Sequence, residues 1–245
     1  MPEIEIVADA AALAQRAAEQ FTGLAEYAIR KRGRFVVALS GGSTPRPMNA
    51  LLSHAPYAGK IDWAQVFVFW GDDRCVPPDD PESNYRTARE TLLDRVSIPD
   101  GNIQRVQGEL SPEQAARKYE DTLHEFFDGQ PAPRFDLILL GLGDDGHTAS
   151  LFPGTPGIRE NRRWAVAVRH NTPPLPLVDR VTLTPPVINA AANVTFLVSG
   201  AGKAERLYQV LHEPYNPDRL PAQVVRPKDG KLFWLLDEAA AGKIK

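Results

Sequence analysis

Apolar residues in this chain gather in short, unbroken runs spaced by stretches of helical or mixed periodicity. Five such runs, at residues 35–39, 66–70, 135–140, 194–198 and 232–236, are each the length of a buried strand. Continuous apolar runs, as opposed to alternating ones, predict a sheet covered on both faces, as parallel sheets are. Residues 4–7 alternate with acids and read as a short additional strand, while residues 164–168 and 181–184 are alternating candidates for peripheral strands.

Between the runs lie helix signals. Asp9 is placed to cap a helix in which Leu13, Ala17, Phe21, Leu24 and Ala28 repeat at helical spacing. Ser111-Pro112-Glu113-Gln114 has the form of a capping box with proline at the first helical position, after which Ala115, Tyr119, Leu123 and Phe126 trace one face. Ala204, Leu207, Tyr208 and Leu211 do the same after Lys203. Strands alternating with helices predict βαβ units with right-handed crossovers, hence an open, mostly parallel α/β sheet in three layers with helices on both faces. No internal repeat is visible. The proline-rich stretches 172–176 and 214–221 read as long loops within one domain spanning residues 1–245.

The 245 residues suffice for a sizeable core, and the composition, 43% hydrophobic and 24% charged, is that of a globular protein. The net charge of −3 gives no basic excess to draw nucleic acid or an anionic membrane. Cys75 is the single cysteine, so no intramolecular disulfide can form and cysteine-rich zinc sites are excluded. The N-terminus lacks the basic start and apolar run of a signal peptide, and no stretch approaches the ~20 apolar residues that span a bilayer. A reducing, cytoplasmic setting is expected.

The chemistry sits immediately after four of the apolar runs. Leu39 is followed by Ser40-Gly41-Gly42-Ser43-Thr44, Trp70 by Gly71-Asp72-Asp73-Arg74, Leu140 by Gly141-Leu142-Gly143-Asp144-Asp145-Gly146-His147, and Val198 by Ser199-Gly200-Ala201-Gly202-Lys203. In an open parallel sheet the carboxyl ends of the strands share one edge, where ligands bind. Four glycine-rich or charged segments are therefore expected to converge on one crevice. Residues 40–44 suit an anion, because glycines let backbone N–H groups approach and the next helix offers its positive end. An ordinary strand-to-helix turn has the same composition, and the segment matches neither a Walker loop nor a dinucleotide fingerprint. Residues 141–146 fit GxGxxG, yet they lie late in the chain and run into Asp-Gly-His.

His147 has Asp145 two residues before it, and a carboxylate so placed can orient an imidazole for taking a proton from water. His54, His124, His170 and His212 have no such setting and read as surface or satisfied core residues. Arg74 beside His147 would bind phosphate or steady an oxyanion, although charge triplets are commonly solvated loops. Asp72, Asp145 and His147 lack the spacing of a metal site, so none is expected. Lys203, near a helix start, is a candidate phosphate contact whose alternative is an ordinary exposed lysine.

Together, residues 39–45 (LSGGSTP), 70–78 (WGDDRCVPP) with Ser83-Asn84-Tyr85, 141–153 (GLGDDGHTASLFP), 180–184 (RVTLT) with Pro186, and 200–203 resemble the 6-phosphogluconolactonase family, in the larger group that includes glucosamine-6-phosphate deaminases. One departure is Asp73, where the family more often has glutamate. The resemblance implies a modified Rossmann-like fold and hydrolysis of 6-phospho-D-glucono-1,5-lactone to 6-phospho-D-gluconate in the pentose phosphate pathway, without cofactor or metal. It implies a monomer or small homo-oligomer whose partner is a sugar-phosphate lactone, not nucleic acid or membrane. On that reading the phosphate lies on residues 40–44 with Lys203 and also Arg180 and Arg74. His147 is then the base, Asp145 its orienter, Asp72 a contact to sugar hydroxyls or water, and Arg74 or backbone N–H groups the oxyanion donors.

Three alternatives accompany that expectation. Deaminase–isomerases of the same group carry a glutamate five residues after the histidine, within Asn-Glu-Pro, which assists ring opening; here Phe152 and Pro153 stand there, and a phenyl ring cannot transfer a proton. A non-catalytic sugar-phosphate sensor would be attached to a helix-turn-helix segment, for which the expected first strand and the nine residues after Leu236 leave no room. A phosphosugar isomerase on a similar scaffold would need a carboxylate base, for which Asp72 is available.

Overall fold

The computed structural model describes residues 2–244. Six strands form one parallel sheet: β1 (Glu3–Val7), β2 (Phe35–Leu39), β3 (Val66–Trp70), β5 (Leu137–Leu140), β8 (Asn193–Val198) and β9 (Lys231–Asp237), in the order β1-β9-β8-β5-β2-β3. All five apolar runs are in this sheet, at the positions their patterning predicts. The central strands β2 and β5 have every side chain buried. Alternate residues face opposite ways: Phe35, Val37 and Leu39 join one apolar cluster, Val36 and Ala38 the other. The result is three layers, each with its own core.

On one face lie α1 (Ala10–Arg32), α2 (Pro45–Leu52) and α3 (Asn84–Thr91); on the other lie α4 (Pro112–Phe126), α5 (Pro185–Ala190) and α6 (Ala204–His212). The expected Asp9 cap is present, its carboxylate accepting the Ala12 N–H at 2.8 Å. The capping box at Ser111 is only half realised. The helix starts at Pro112, but the Ser111 hydroxyl donates to Gln114 Oε1 at 2.9 Å instead of accepting a backbone N–H, because the two exposed side chains satisfy one another.

A second sheet was only partly foreseen. Residues Ala165–Val168 (β6) and Arg180–Leu183 (β7) are the peripheral strands expected, but they are joined by β4 (Asp72–Arg74), a charged triplet with no strand signature. The three pair antiparallel in the order β4-β7-β6. Tyr119 of α4 marks where the first sheet hands over to the second. Its hydroxyl accepts the Trp70 N–H (2.9 Å) and donates to the Trp70 carbonyl (2.7 Å), closing the β3 backbone just before the chain turns into β4.

Candidate active site

Because β2, β3, β5 and β8 are parallel neighbours or near neighbours, their carboxyl ends meet on one edge. There a cavity of about 270 Å³ is lined by Ser40, Gly41, Gly42, Ser43, Thr44, Asp72, Arg74, His147, Arg180 and Lys203. Ten of the eleven residues singled out in the sequence thus converge on one cleft; Asp145 stands directly behind His147.

The histidine is fixed by its own turn. Gly146, at φ 89°, bends the chain so that the Asp145 carboxylate accepts both the His147 backbone N–H (3.0 Å) and its Nδ1–H (2.5 Å). Burial works to raise the Asp145 pKa, but the hydrogen bonds and charge of His147 outweigh it and hold the carboxyl below its usual range. An ionised acceptor requires the proton on Nδ1, so Nε2 carries the free lone pair. Gly143 lets the ring lie where it does: a Cβ there would fall 2.1 Å from Nδ1. On its far side the imidazole rests on Phe152, centroids 4.5 Å apart.

Asp72 and Arg74 project from β4 on the same face as Arg180, which lies directly opposite Arg74 across the β4–β7 ladder. Two guanidiniums side by side, each with a buried Nε–H that no described residue accepts, form a pole that calls for an anion. Arg74 is partly engaged by the Glu82 carbonyl (2.5 Å) and Arg180 by the Pro176 carbonyl (3.1 Å). Burial, with Arg74 adding to it, pushes the Arg180 pKa down against the pull of Asp72, the mark of a charge held largely out of water. The Asp72 carboxyl takes the hydroxyl of the fully buried Ser150 at 2.5 Å, and its backbone carbonyl accepts from Asn84 at 2.9 Å.

The anion loop departs in one respect from expectation. Helix α2 begins with Pro45 and has Pro47 two residues on, so two of its first three positions have no N–H to offer. The cleft is lined here by Ser40, Gly41, Gly42, Ser43 and Thr44, with Pro45 behind them, so polar groups come from the loop more than from the helix start. Gly41 is demanded by Asn84, whose Oδ1 would lie 1.8 Å from any Cβ. Lys203 reaches the cavity from the opposite wall, paired with Asp144 at 2.5 Å. Asp237 holds this wall in place by accepting the Ser199 hydroxyl and the Gly200 N–H.

Asp73, the departure from the family pattern, points away from the cleft. It is 2% exposed and accepts the N–H groups of Arg74, Asn84 and Tyr85, anchoring the start of α3. Burial pushes its pKa up to about 6 in spite of those bonds. Its neighbour Cys75 is half-buried, and burial, aided by Asp179, raises its thiol to about 12, which leaves almost no thiolate near neutrality.

Several contributors escaped the sequence reading. Ser150 has no local signal, since its partner Asp72 is 78 residues away. Asn84 was visible in the Ser-Asn-Tyr motif, but without a role. His170, read as an unremarkable histidine, is buried and stacks on Phe152 at 4.2 Å. The proline-rich loop that follows it supplies Pro174 and Leu175 to the cavity wall. Among the described residues, no three His, Cys, Asp or Glu side chains come together as metal ligands, and no helix is long and apolar enough to cross a membrane.

This fold and cleft define an open α/β protein with a cationic cleft beside a histidine–aspartate pair. Residues 8–234 match the family of glucosamine-6-phosphate isomerases and 6-phosphogluconolactonases, and the chain belongs to that family. It is 40% identical to the 6-phosphogluconolactonase of Synechocystis sp. over 100% of this chain and 99% of the relative. The 6-phosphogluconolactonase of Nostoc sp. is 41% identical over 98% of each chain. Among solved structures, 6-phosphogluconolactonase from Trypanosoma brucei superposes with a TM-score of 0.89 at 30% identity, covering 100% of this chain and 99% of that one. A monomeric glucosamine-6-phosphate deaminase shares the fold at 20% identity, with a TM-score of 0.83 over 98% of this chain and 99% of that one.

Proposed function

We propose that this chain hydrolyses 6-phospho-D-glucono-1,5-lactone to 6-phospho-D-gluconate, in the oxidative branch of the pentose phosphate pathway, with His147 as general base. The observation that carries the mechanism is the pairing of His147 with Asp145 at the cavity wall, backed by a phenyl ring and not by a second acid. The phosphate lies on residues 40–44, and it draws Lys203 away from Asp144. The lactone ring then extends toward Asp72 and Asn84, bringing its carbonyl to His147.

His147 Nε2 takes a proton from water as the water oxygen bonds to the lactone carbonyl carbon. The guanidinium pole of Arg74 and Arg180 faces the negative charge that develops on the carbonyl oxygen. When the tetrahedral intermediate collapses, the ring C–O bond breaks and the His147 proton passes to the departing ring oxygen. The acid formed ionises at neutral pH, and its carboxylate is the anion that the arginine pair suits best. General base assistance of this kind is worth about 10²–10⁴-fold. Asp72, fixed by Ser150, orients the attacking water or a sugar hydroxyl. No step involves a metal or organic cofactor, nucleic acid or membrane.

A paired assay tests the reading. The protein should release acid from freshly generated 6-phosphogluconolactone and no ammonia from glucosamine 6-phosphate. Ammonia release, or the same acid release from a correctly folded His147→Ala variant, contradicts it.

A further inference from the structure

His170 lies outside the cavity lining, yet it touches both things that shape the cavity. Its ring stacks on Phe152 at 4.2 Å and 19°, and the Phe152 ring also meets the His147 ring at 4.5 Å and the Arg180 guanidinium at 5.4 Å. Phe152 therefore lies between the two imidazoles, stacked on His170 and tilted by 42° against His147. Through its other edge, His170 Nε2–H donates to the Pro174 carbonyl at 2.6 Å. Pro174 and Leu175 form the cavity wall, and Leu175 is 78% exposed, so little else packs on this loop from outside. A second tie of the loop to the site is the Arg180 bond to the Pro176 carbonyl. His170 is itself only 5% exposed, and its backbone N–H is held by Asp179 at 3.0 Å.

We infer that His170 is a positioning residue that couples the proline-rich wall of the cleft to the ring stack backing His147. Its two contacts have separable consequences, which makes the inference decidable. The bond to Pro174 fixes the wall that substrate meets, so its loss weakens binding. The stack fixes Phe152, and through it the imidazole, so its loss slows turnover. This rests on the lactonase reading above.

Two variants separate the contacts. His170→Phe keeps an aromatic ring against Phe152 but cannot donate to Pro174. His170→Ala removes both. With 6-phosphogluconolactone as substrate, His170→Phe should raise KM about 3–10-fold, the cost of one hydrogen bond, with kcat within twofold of the unaltered protein. His170→Ala should raise KM similarly and also lower kcat about 3–10-fold, as expected for loss of an aromatic pair. Thermal unfolding of both variants identifies a folding defect, and the ring-preserving phenylalanine keeps the test alive if alanine fails to fold. Equal kcat in a folded alanine variant and the unaltered protein, or an unchanged KM in His170→Phe, overturns the coupling. An unaltered protein with no turnover overturns this inference and the lactonase reading together.

Discussion

Replacing Gly143 by alanine tests whether the orientation of His147, and not merely its presence, drives the reaction. The added methyl carbon would fall 2.1 Å from Nδ1, 2.2 Å from Cε1 and 2.7 Å from Cγ. Non-bonded heavy atoms settle near 3.5 Å, so the ring must retreat by about 1.4 Å. The 2.5 Å bond from Nδ1 to Asp145 cannot survive a displacement of that size in most directions. Misplacement of a catalytic group by about 1 Å costs on the order of 10²-fold. The imidazole is a side chain on the cavity wall and can swing toward open space, so the fold should tolerate the change. Steady-state kinetics on 6-phosphogluconolactone should therefore show kcat lowered about 100-fold or more, with KM and thermal midpoint near their original values. A Gly143→Ala protein with undiminished kcat would refute the assignment of His147 as the base held by Asp145.

Three further outcomes follow from the same geometry. Asp73 is raised to about 6 from an ordinary 3.8, so its proton is held more tightly in the folded state, and stability falls by roughly 3 kcal/mol as pH rises from about 4 to about 6, then levels. Chemical denaturation across that range should show this slope in the unaltered protein and its loss in Asp73→Asn; parallel curves contradict it. Arg180→Met should lower kcat/KM about 100-fold, as for loss of a donor to a developing oxyanion, while thermal stability holds or improves because a buried charge with an unpartnered Nε–H beside another arginine is removed. A lower melting temperature with unchanged kcat/KM would contradict the anion-pole role. Cys75, with its thiol raised to about 12, should resist alkylation by iodoacetamide at pH 7.5 in the folded protein and react on unfolding, as mass spectrometry can follow.

The main sheet was legible because its strands are buried on both faces, which writes the same unbroken apolar run five times. The converging strand ends were legible for a related reason, since a parallel arrangement places every Gly-rich exit on one edge. The second sheet was not, because β4 is three charged residues whose strand geometry comes from pairing with β7 about a hundred positions later. The same limit hid Ser150, whose partner Asp72 is remote in sequence, and His170, whose importance lies in Phe152 and Pro174 instead of in its neighbours along the chain. The role of Asp73 was open for the opposite reason: both adjacent aspartates are buried, and only their opposite directions from β4 tell the anchor from the cleft residue.

The most direct measurement is a crystal structure of the protein with 6-phosphogluconate bound, since the product carries the phosphate and the reacted carbon in one molecule. The account predicts the phosphate on residues 40–44 and Lys203, with the carboxylate at hydrogen-bond distance from His147 Nε2 and facing the arginine pair. A product bound with its carboxylate remote from His147, or with its phosphate seated against Asp145, would contradict it.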